Sequence, residues 1–237
     1  MCGKILSIKA NFVTLLAITL IKTLMKHLFL AILAAGMAFS AAADDKVVIP
    51  DSTGFKFTDV KVIKSTPVKD QNKSGTCWCY STNSFFENEI LRKTGKEIHL
   101  SEGFVVWHCY FDKAQKFIRM DGKINFAEGG AAEDVPYVWN RYGMMPNEAY
   151  TGMTHGDKKF NTAELTAVLS GFLDVVNSKK LKKLTPSWLE GFQGVLNAYM
   201  GKIPENFTYE GKNYTPQTFA ASLGINMDDY ISIASFT

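Results

Sequence analysis

Gln71-Asn72-Lys73-Ser74-Gly75-Thr76-Cys77-Trp78-Cys79-Tyr80-Ser81 is the stretch on which the reading of this chain turns. Gly75 permits a tight turn. After it an apolar run at helical spacing passes from Cys77 through Phe85, Phe86, Glu89 and Ile90 to about Arg92, and stops near Gly95. The pattern puts a cysteine at the start of a helix. A thiol there faces unpaired backbone N–H groups, which favour the ionised, nucleophilic form. The Cys77 N–H and the side-chain amide of Gln71, six residues upstream, are a suitable pair of donors for the oxyanion of a tetrahedral intermediate.

Upstream of this stretch, the first 43 residues contain no acidic side chain and two short apolar runs, Phe12 to Ile21 and Leu28 to Ser40. Read from Met25, Lys26 and His27 precede an apolar core, and Ala41-Ala42-Ala43 stand before Asp44. This is the layout of a secretory signal with a small-residue cleavage site. Neither run is long enough to span a bilayer, so no stable membrane anchor is expected. Residues 1–43 are read as a leader, with a spurious extension before Met25, and residues 44–237 as the N-terminal part of a single folded domain. Export to the periplasm or the extracellular space follows. Four of the 26 basic side chains (Lys4, Lys9, Lys22, Lys26) fall in the leader, leaving the rest nearly balanced against 23 acids. That balance removes any charge-based case for nucleic-acid binding. Cys77, Cys79 and Cys109 remain after the leader, and an odd number leaves at least one thiol outside intramolecular disulfides.

Downstream, the elements are mostly helical. Phe55-Lys56-Phe57 and Val60-Lys61-Val62 alternate as an exposed strand does. Ser101 is a good N-cap with Glu102 in the first turn, and Phe104, Trp107, His108, Phe111 and Ile118 share one face beyond it. After Gly129-Gly130, Val135, Val138, Trp139 and Tyr142 form another helical stripe closed by Gly143. Leu165, Val168, Leu169, Phe172 and Val176 form a third. Thr185-Pro186 and Thr215-Pro216 each read as an N-cap followed by proline at the first helical position. Lys179, Lys180, Lys182 and Lys183 read as the solvated tail of a helix. Tyr230 to Thr237 is apolar, β-branched and strand-like.

The segment around Cys77 resembles the active-site segment of papain-like cysteine peptidases, in which glutamine lies six residues before the nucleophile and tryptophan follows it directly. Gln71, Cys77 and Trp78 fit both spacings. Leu100-Ser101-Glu102, Tyr110-Phe111-Asp112-Lys113-Ala114, Gly129-Gly130 leading to Tyr142-Gly143-Met144-Met145-Pro146, and Tyr209 through Phe219 resemble the bleomycin hydrolase and aminopeptidase C branch. The resemblance implies an α+β fold in which a helical half carries the cysteine and a β-barrel half carries a histidine and an asparagine. It also implies a peptide substrate, no cofactor, no metal, a homo-oligomer (a hexamer in relatives) for a full-length protein, and a substrate groove lined by Trp78, Gly129 and Gly130, where backbone pairs with the peptide as an added strand. Ser74 stands where many papain relatives have a disulfide cysteine, and Cys79 where an apolar residue is usual.

The resemblance also implies a histidine base, and no histidine follows His155. In the resembled branch histidine and asparagine lie further downstream, so the chain reads as the N-terminal portion of a longer enzyme, mostly the helical half with an incomplete barrel and exposed apolar surface where that barrel should pack. Such a portion is expected to be inactive alone. Of the histidines present, His108 falls on an apolar helical face, His99 precedes the Ser101 cap and His155 sits in a polar loop; none is a strong candidate base. A zinc site from Cys77, Cys79, His108 and Cys109 lacks the usual ligand spacings. The alternative function is a non-catalytic peptide-binding remnant that kept the groove and lost the chemistry.

Overall fold

Helix α1 (Cys77–Thr94) begins where the turn at Gly75 releases the chain and ends at Gly95, whose φ of 72° suits a residue without a Cβ and whose N–H closes onto the Leu91 carbonyl. The computed structural model describes residue 58 and residues 60–156, 159–178 and 183–233. Residues 61–237 form one unit.

Helix α2 (Glu102–Arg119) is the element on which the others pack. Ser101 caps it by accepting the Phe104 N–H at 2.9 Å, and its own hydroxyl donates to the Tyr150 carbonyl at 2.5 Å. The expected apolar face is present. However, Val105, Val106, Cys109, Tyr110 and Ala114 are buried too, so the first two turns are enclosed on nearly all sides. Gly103 permits this, because a Cβ there would meet the backbone of Gly152 at 2.8 Å. Helices α1, α3 (Asp134–Tyr142), α4 (Ala163–Val176) and α5 (Ser187–Met200) all contact α2. Phe86, Phe104, Tyr110, Phe192 and Leu169 are fully buried in the shared core, each contributing about 1.5–3 kcal/mol of apolar burial.

The second half departs from its sequence reading in three places. On α4 the buried stripe is Leu165, Leu169, Leu173 and Val176; Val168 is on the outer edge. Pro186 itself caps α5 rather than occupying its first turn, a shift of one position. Where helix alone was expected, Phe207–Tyr209 (β1) and Lys212–Tyr214 (β2) form an antiparallel hairpin. Its two-residue loop, Glu210-Gly211, has φ of 48° and 76°, the left-handed pair that matches strand twist. Thr215 then opens α6 (Pro216–Ser222) with a full capping box, as the Thr-Pro pair indicated.

The strand expectations fare differently. Phe55-Lys56-Phe57 lies outside the described residues, as do the leader over residues 1–43, Lys179, Lys180 and Lys182, and the end of the chain after Ile233. Val60, Lys61 and Val62 are exposed and irregular, without a ladder partner among the described residues. Tyr230 to Ile233 is not strand. Tyr230 packs edge-on to Phe85 and Phe86 on α1, while Ile231 and Ile233 are exposed, as is half of Phe85. Among the described residues no helix is long and apolar enough to cross a membrane.

Candidate active site

Cys77 is the first residue of α1, and it is exposed. Thr76, the N-cap, makes no side-chain bond to the helix; its hydroxyl pairs instead with Ser74 Oγ at 2.7 Å. The N–H groups of Cys77 and Trp78 are therefore left unpaired among the described residues, next to the thiol. Gln71 is tied back to the same turn. Its Nε2 donates to the Ser74 carbonyl at 2.9 Å, and Ser74 Oγ donates to the Gln71 carbonyl at 2.8 Å. A primary amide has two N–H groups, so one orients the side chain and the other is free for an oxyanion. The turn is pinned from outside as well. Asn72, at φ 52°, donates through Nδ2 to the Phe160 carbonyl at 3.1 Å, and Lys73 pairs with Asn161 in an isolated parallel bridge.

Glu128, which the sequence reading passed over, joins this turn to the glycine pair. Its Oε2 accepts the Gly75 N–H at 2.7 Å, and its Oε1 accepts the hydroxyls of Thr162 (2.5 Å) and Thr166 (2.9 Å). Its backbone carbonyl accepts the indole N–H of Trp78 at 2.9 Å. One residue thus fixes both the approach to Cys77 and the start of Gly129-Gly130. The fold brings together all five residues expected at the site, with one change of role. Trp78 is only 6% exposed and lies beneath Gly130, where an added Cβ would come within 2.6 Å of its ring. It braces the glycines from behind instead of lining a groove. Lys113 Nζ donates to the Gly129 carbonyl at 2.6 Å and sits 5.3 Å from the Trp78 ring centroid. Gly130 is exposed, and its N–H and carbonyl are unpaired among the described residues, as an edge that accepts an added strand must be.

A second missed feature lies just upstream of Gln71. Lys69 Nζ is 2.5 Å from both Glu87 Oε1 on α1 and Glu102 Oε1 on α2, and Glu87 Oε1 also accepts the Leu100 N–H. Glu87 is wholly buried, and burial pushes its carboxyl pKa up against the pull of Lys69. The trio straps the segment leading to Gln71 onto the two central helices. The only sequence cue was Glu87 on the buried face of an amphipathic helix.

Cys77, Cys79 and Cys109 are all free. Cys79 and Cys109 are buried, and burial raises both thiol pKa values. Cys77 Sγ makes no hydrogen bond among the described residues. His108 is stacked on Tyr142 with ring centroids 3.9 Å apart, and burial pushes its pKa down to about 3. The Nε2 of His155 lies 3.1 Å from the Ala198 carbonyl, and that of His99 lies 3.8 Å from Glu97. His27 is outside the described residues.

A cavity of about 440 Å³ lies along the Cys77 side of α1. Ser81 and Phe85, four and eight residues after Cys77, form one wall of it. Ala132 and Pro136, just after the glycine pair, form another, and Tyr230 and Ile231 a third.

Residues 53–189 match the family described as papain family cysteine protease. A cathepsin L-like peptidase of Aedes aegypti is 28% identical over 166 residues, which is 67% of this chain and 44% of that protein. Procathepsin L of Felis catus is 26% identical over 152 residues, 64% of this chain and 42% of the relative. Cathepsin L2 of Homo sapiens reaches 49% over 85 residues, 36% of this chain and 23% of that one. The chain spans less than half the length of these relatives. Among solved structures, PepW from Lactobacillus rhamnosis superposes with a TM-score of 0.52 at 20% identity, covering 70% of this chain and 46% of PepW.

Proposed function

The chain belongs to the papain family of cysteine proteases and has its α+β fold, and from that premise we propose that Cys77 is the nucleophile of peptide-bond hydrolysis through a thioester. The observation that carries this reading is the exposed Cys77 thiol at a helix start left open by its N-cap, with Gln71 tied by its side chain to the turn that leads into that helix. Sγ attacks the peptide carbonyl carbon, and the displaced π electrons go to oxygen, where the Cys77 N–H and the free N–H of Gln71 stabilise them. Collapse breaks the C–N bond, the amine leaves with the proton that the Cys77 thiol gave up, and water then cleaves the thioester, releasing the carboxylic acid and restoring the thiol. The peptide pairs with Gly130 and places an apolar side chain in the cavity beside Phe85.

Among the described residues no imidazole is bonded to Cys77. We therefore expect these 237 residues to acylate or alkylate at Cys77 without sustained turnover. That same observation supports the second reading, a peptide-binding protein that keeps the groove. The branch-specific stretches Leu100-Ser101-Glu102 and Tyr209 to Phe219 support an aminopeptidase-like member of the bleomycin hydrolase branch, and the leader-like first 43 residues support export.

The test uses a peptide chloromethyl ketone and iodoacetamide on the purified chain, with Cys77→Ser as control. The peptide reagent is expected to add one mass equivalent at Cys77, at a rate that saturates with reagent concentration. Iodoacetamide labelling of Cys77 without any saturation by the peptide reagent would refute a peptide groove. Steady hydrolysis of a fluorogenic peptide, abolished by Cys77→Ser, would refute the absence of a base.

A further inference from the structure

A second cavity, of about 480 Å³, opens between α2 and α3 on the side of Lys113. Lys113, Lys116 and Arg119 line it from α2, and Arg141 lines it from α3. None of the four forms an ion pair among the described residues. Lys113 is spent on the Gly129 carbonyl and the Trp78 ring, and Arg141 on the Tyr142 hydroxyl and the Tyr142 ring. Lys116 and Arg119 are exposed, and their side chains have no hydrogen-bond partner among the described residues. The two acids of the cavity do not neutralise them at close range. Asp112 accepts the hydroxyls of Tyr137 (3.0 Å) and Tyr142 (2.8 Å), and Asp134 Oδ2 accepts the Ala131 N–H at 3.0 Å.

Cations in the last turn of a helix suit its dipole, and that accounts for Lys116, Arg119 and Arg141 one at a time. It does not account for Lys113, which lies before the last turn, or for the convergence of charges from two helices on one concavity. Lys113, Lys116 and Arg119 lie on one helix face over six residues, about 9 Å of rise. That spacing exceeds one tetrahedral oxyanion and suits a ligand with several charged groups.

We propose that this groove binds a multivalent oxyanion, such as a polyphosphate or a polysulfated or polycarboxylated molecule, and that Lys113 couples it to the glycine pair. An anion in the groove draws Lys113 away from Gly129 O and from Trp78, so the segment that receives the peptide loses a support. The anion site stands independently of the peptidase reading; only its effect on peptide binding rests on that reading.

The full chain is titrated with tripolyphosphate by calorimetry at about 150 mM NaCl, an ionic strength at which loose surface attraction is screened. One saturable equivalent is expected, with affinity lowered at least tenfold in Lys116→Ala/Arg119→Ala; circular dichroism checks that this exposed double variant is folded. No saturable binding, or equal affinity in the double variant, overturns the site. The affinity of a non-covalent peptide amide is then measured with and without the anion. A shift of threefold or more in the wild type, abolished by Lys113→Met, supports the coupling, and reciprocity requires the same factor on the anion. Unchanged peptide affinity overturns the coupling and leaves the anion site standing. Failure of the peptide to bind under any condition tells against the groove reading instead.

Discussion

Replacing Lys69 by methionine removes one charge and leaves two carboxylates facing each other beneath the segment that carries Gln71. The Lys69 side chain is 21% exposed, Glu87 is 0% and Glu102 is 7%, and both ammonium–carboxylate distances are 2.5 Å. Removing one partner of a buried pair costs about 3–5 kcal/mol, because the remaining charge is neither solvated nor compensated. The partial exposure of Lys69 places this case near the lower end, about 3 kcal/mol, or roughly 6–12 °C in Tm for a unit of this size. Urea unfolding of the full chain, followed by tryptophan fluorescence, measures it. The triple variant Lys69→Met/Glu87→Gln/Glu102→Gln should regain most of the loss. Its new amides remain polar, and the amide oxygen introduced by Glu87→Gln can still accept the Leu100 N–H. The pH dependence has a fixed sign. Burial raises the folded-state pKa of Glu87 above 4.5, so the acid costs stability above that raised value, and the cost disappears as pH falls below 4.5. Without Lys69 its pKa rises further, so the deficit of Lys69→Met should shrink as pH falls from about 7 toward 4.5. A variant within about 0.5 kcal/mol of wild type at neutral pH, or a deficit that grows on acidification, would refute the reasoning.

The glycine pair offers an asymmetric test. A Cβ at Gly130 would lie 2.6 Å from the Trp78 ring and 2.6 Å from Asp134 Oδ2, whereas one at Gly129 meets nothing within 4 Å. Gly130→Ala should weaken peptide binding at least tenfold while Gly129→Ala leaves it within twofold; equal effects would show that the ring contact does not shape the groove. His108 gives an acid-stability signature. Its folded-state pKa is about 3 against 6.5, so the unfolded chain takes up the proton first and stability is lost as pH falls from 6.5 toward 3. At about pH 5 the loss is about 2 kcal/mol, and His108→Phe should abolish that slope in urea unfolding compared between mildly alkaline and mildly acidic buffer. An unaltered slope would mean that the ring is protonated in the fold. Native labelling with iodoacetamide should modify Cys77 at least tenfold faster than Cys79 or Cys109, whose thiols are buried and held protonated; mass mapping that finds comparable rates would contradict the packing of α1 on α2.

Short-range relationships were legible in the sequence, and long-range polar ones were not. Cys77 at a helix start, the Ser101 cap and the Thr215-Pro216 opening each depend on residues within four positions, and all three are present. The hairpin at Glu210-Gly211 was readable in principle, since a two-residue loop ending in glycine between aromatic residues is a turn signal. It was masked by the helical pattern on both sides. Glu128 had no comparable cue. Its carboxylate partners are 53, 34 and 38 residues away, and no periodicity links them. An acid before two glycines reads as loop solvation until the fold brings Thr162, almost fully buried, to its carboxylate. A buried hydroxyl needs an acceptor and a partly buried carboxylate needs donors, so each side satisfies the other, and the Gly75 N–H completes the set. The position of Cys77 at a helix start is thus local information, while the ties that fix the turn before it come from two acids, Glu87 through Lys69 and Glu128 through Gly75, that resemble ordinary surface residues when read alone.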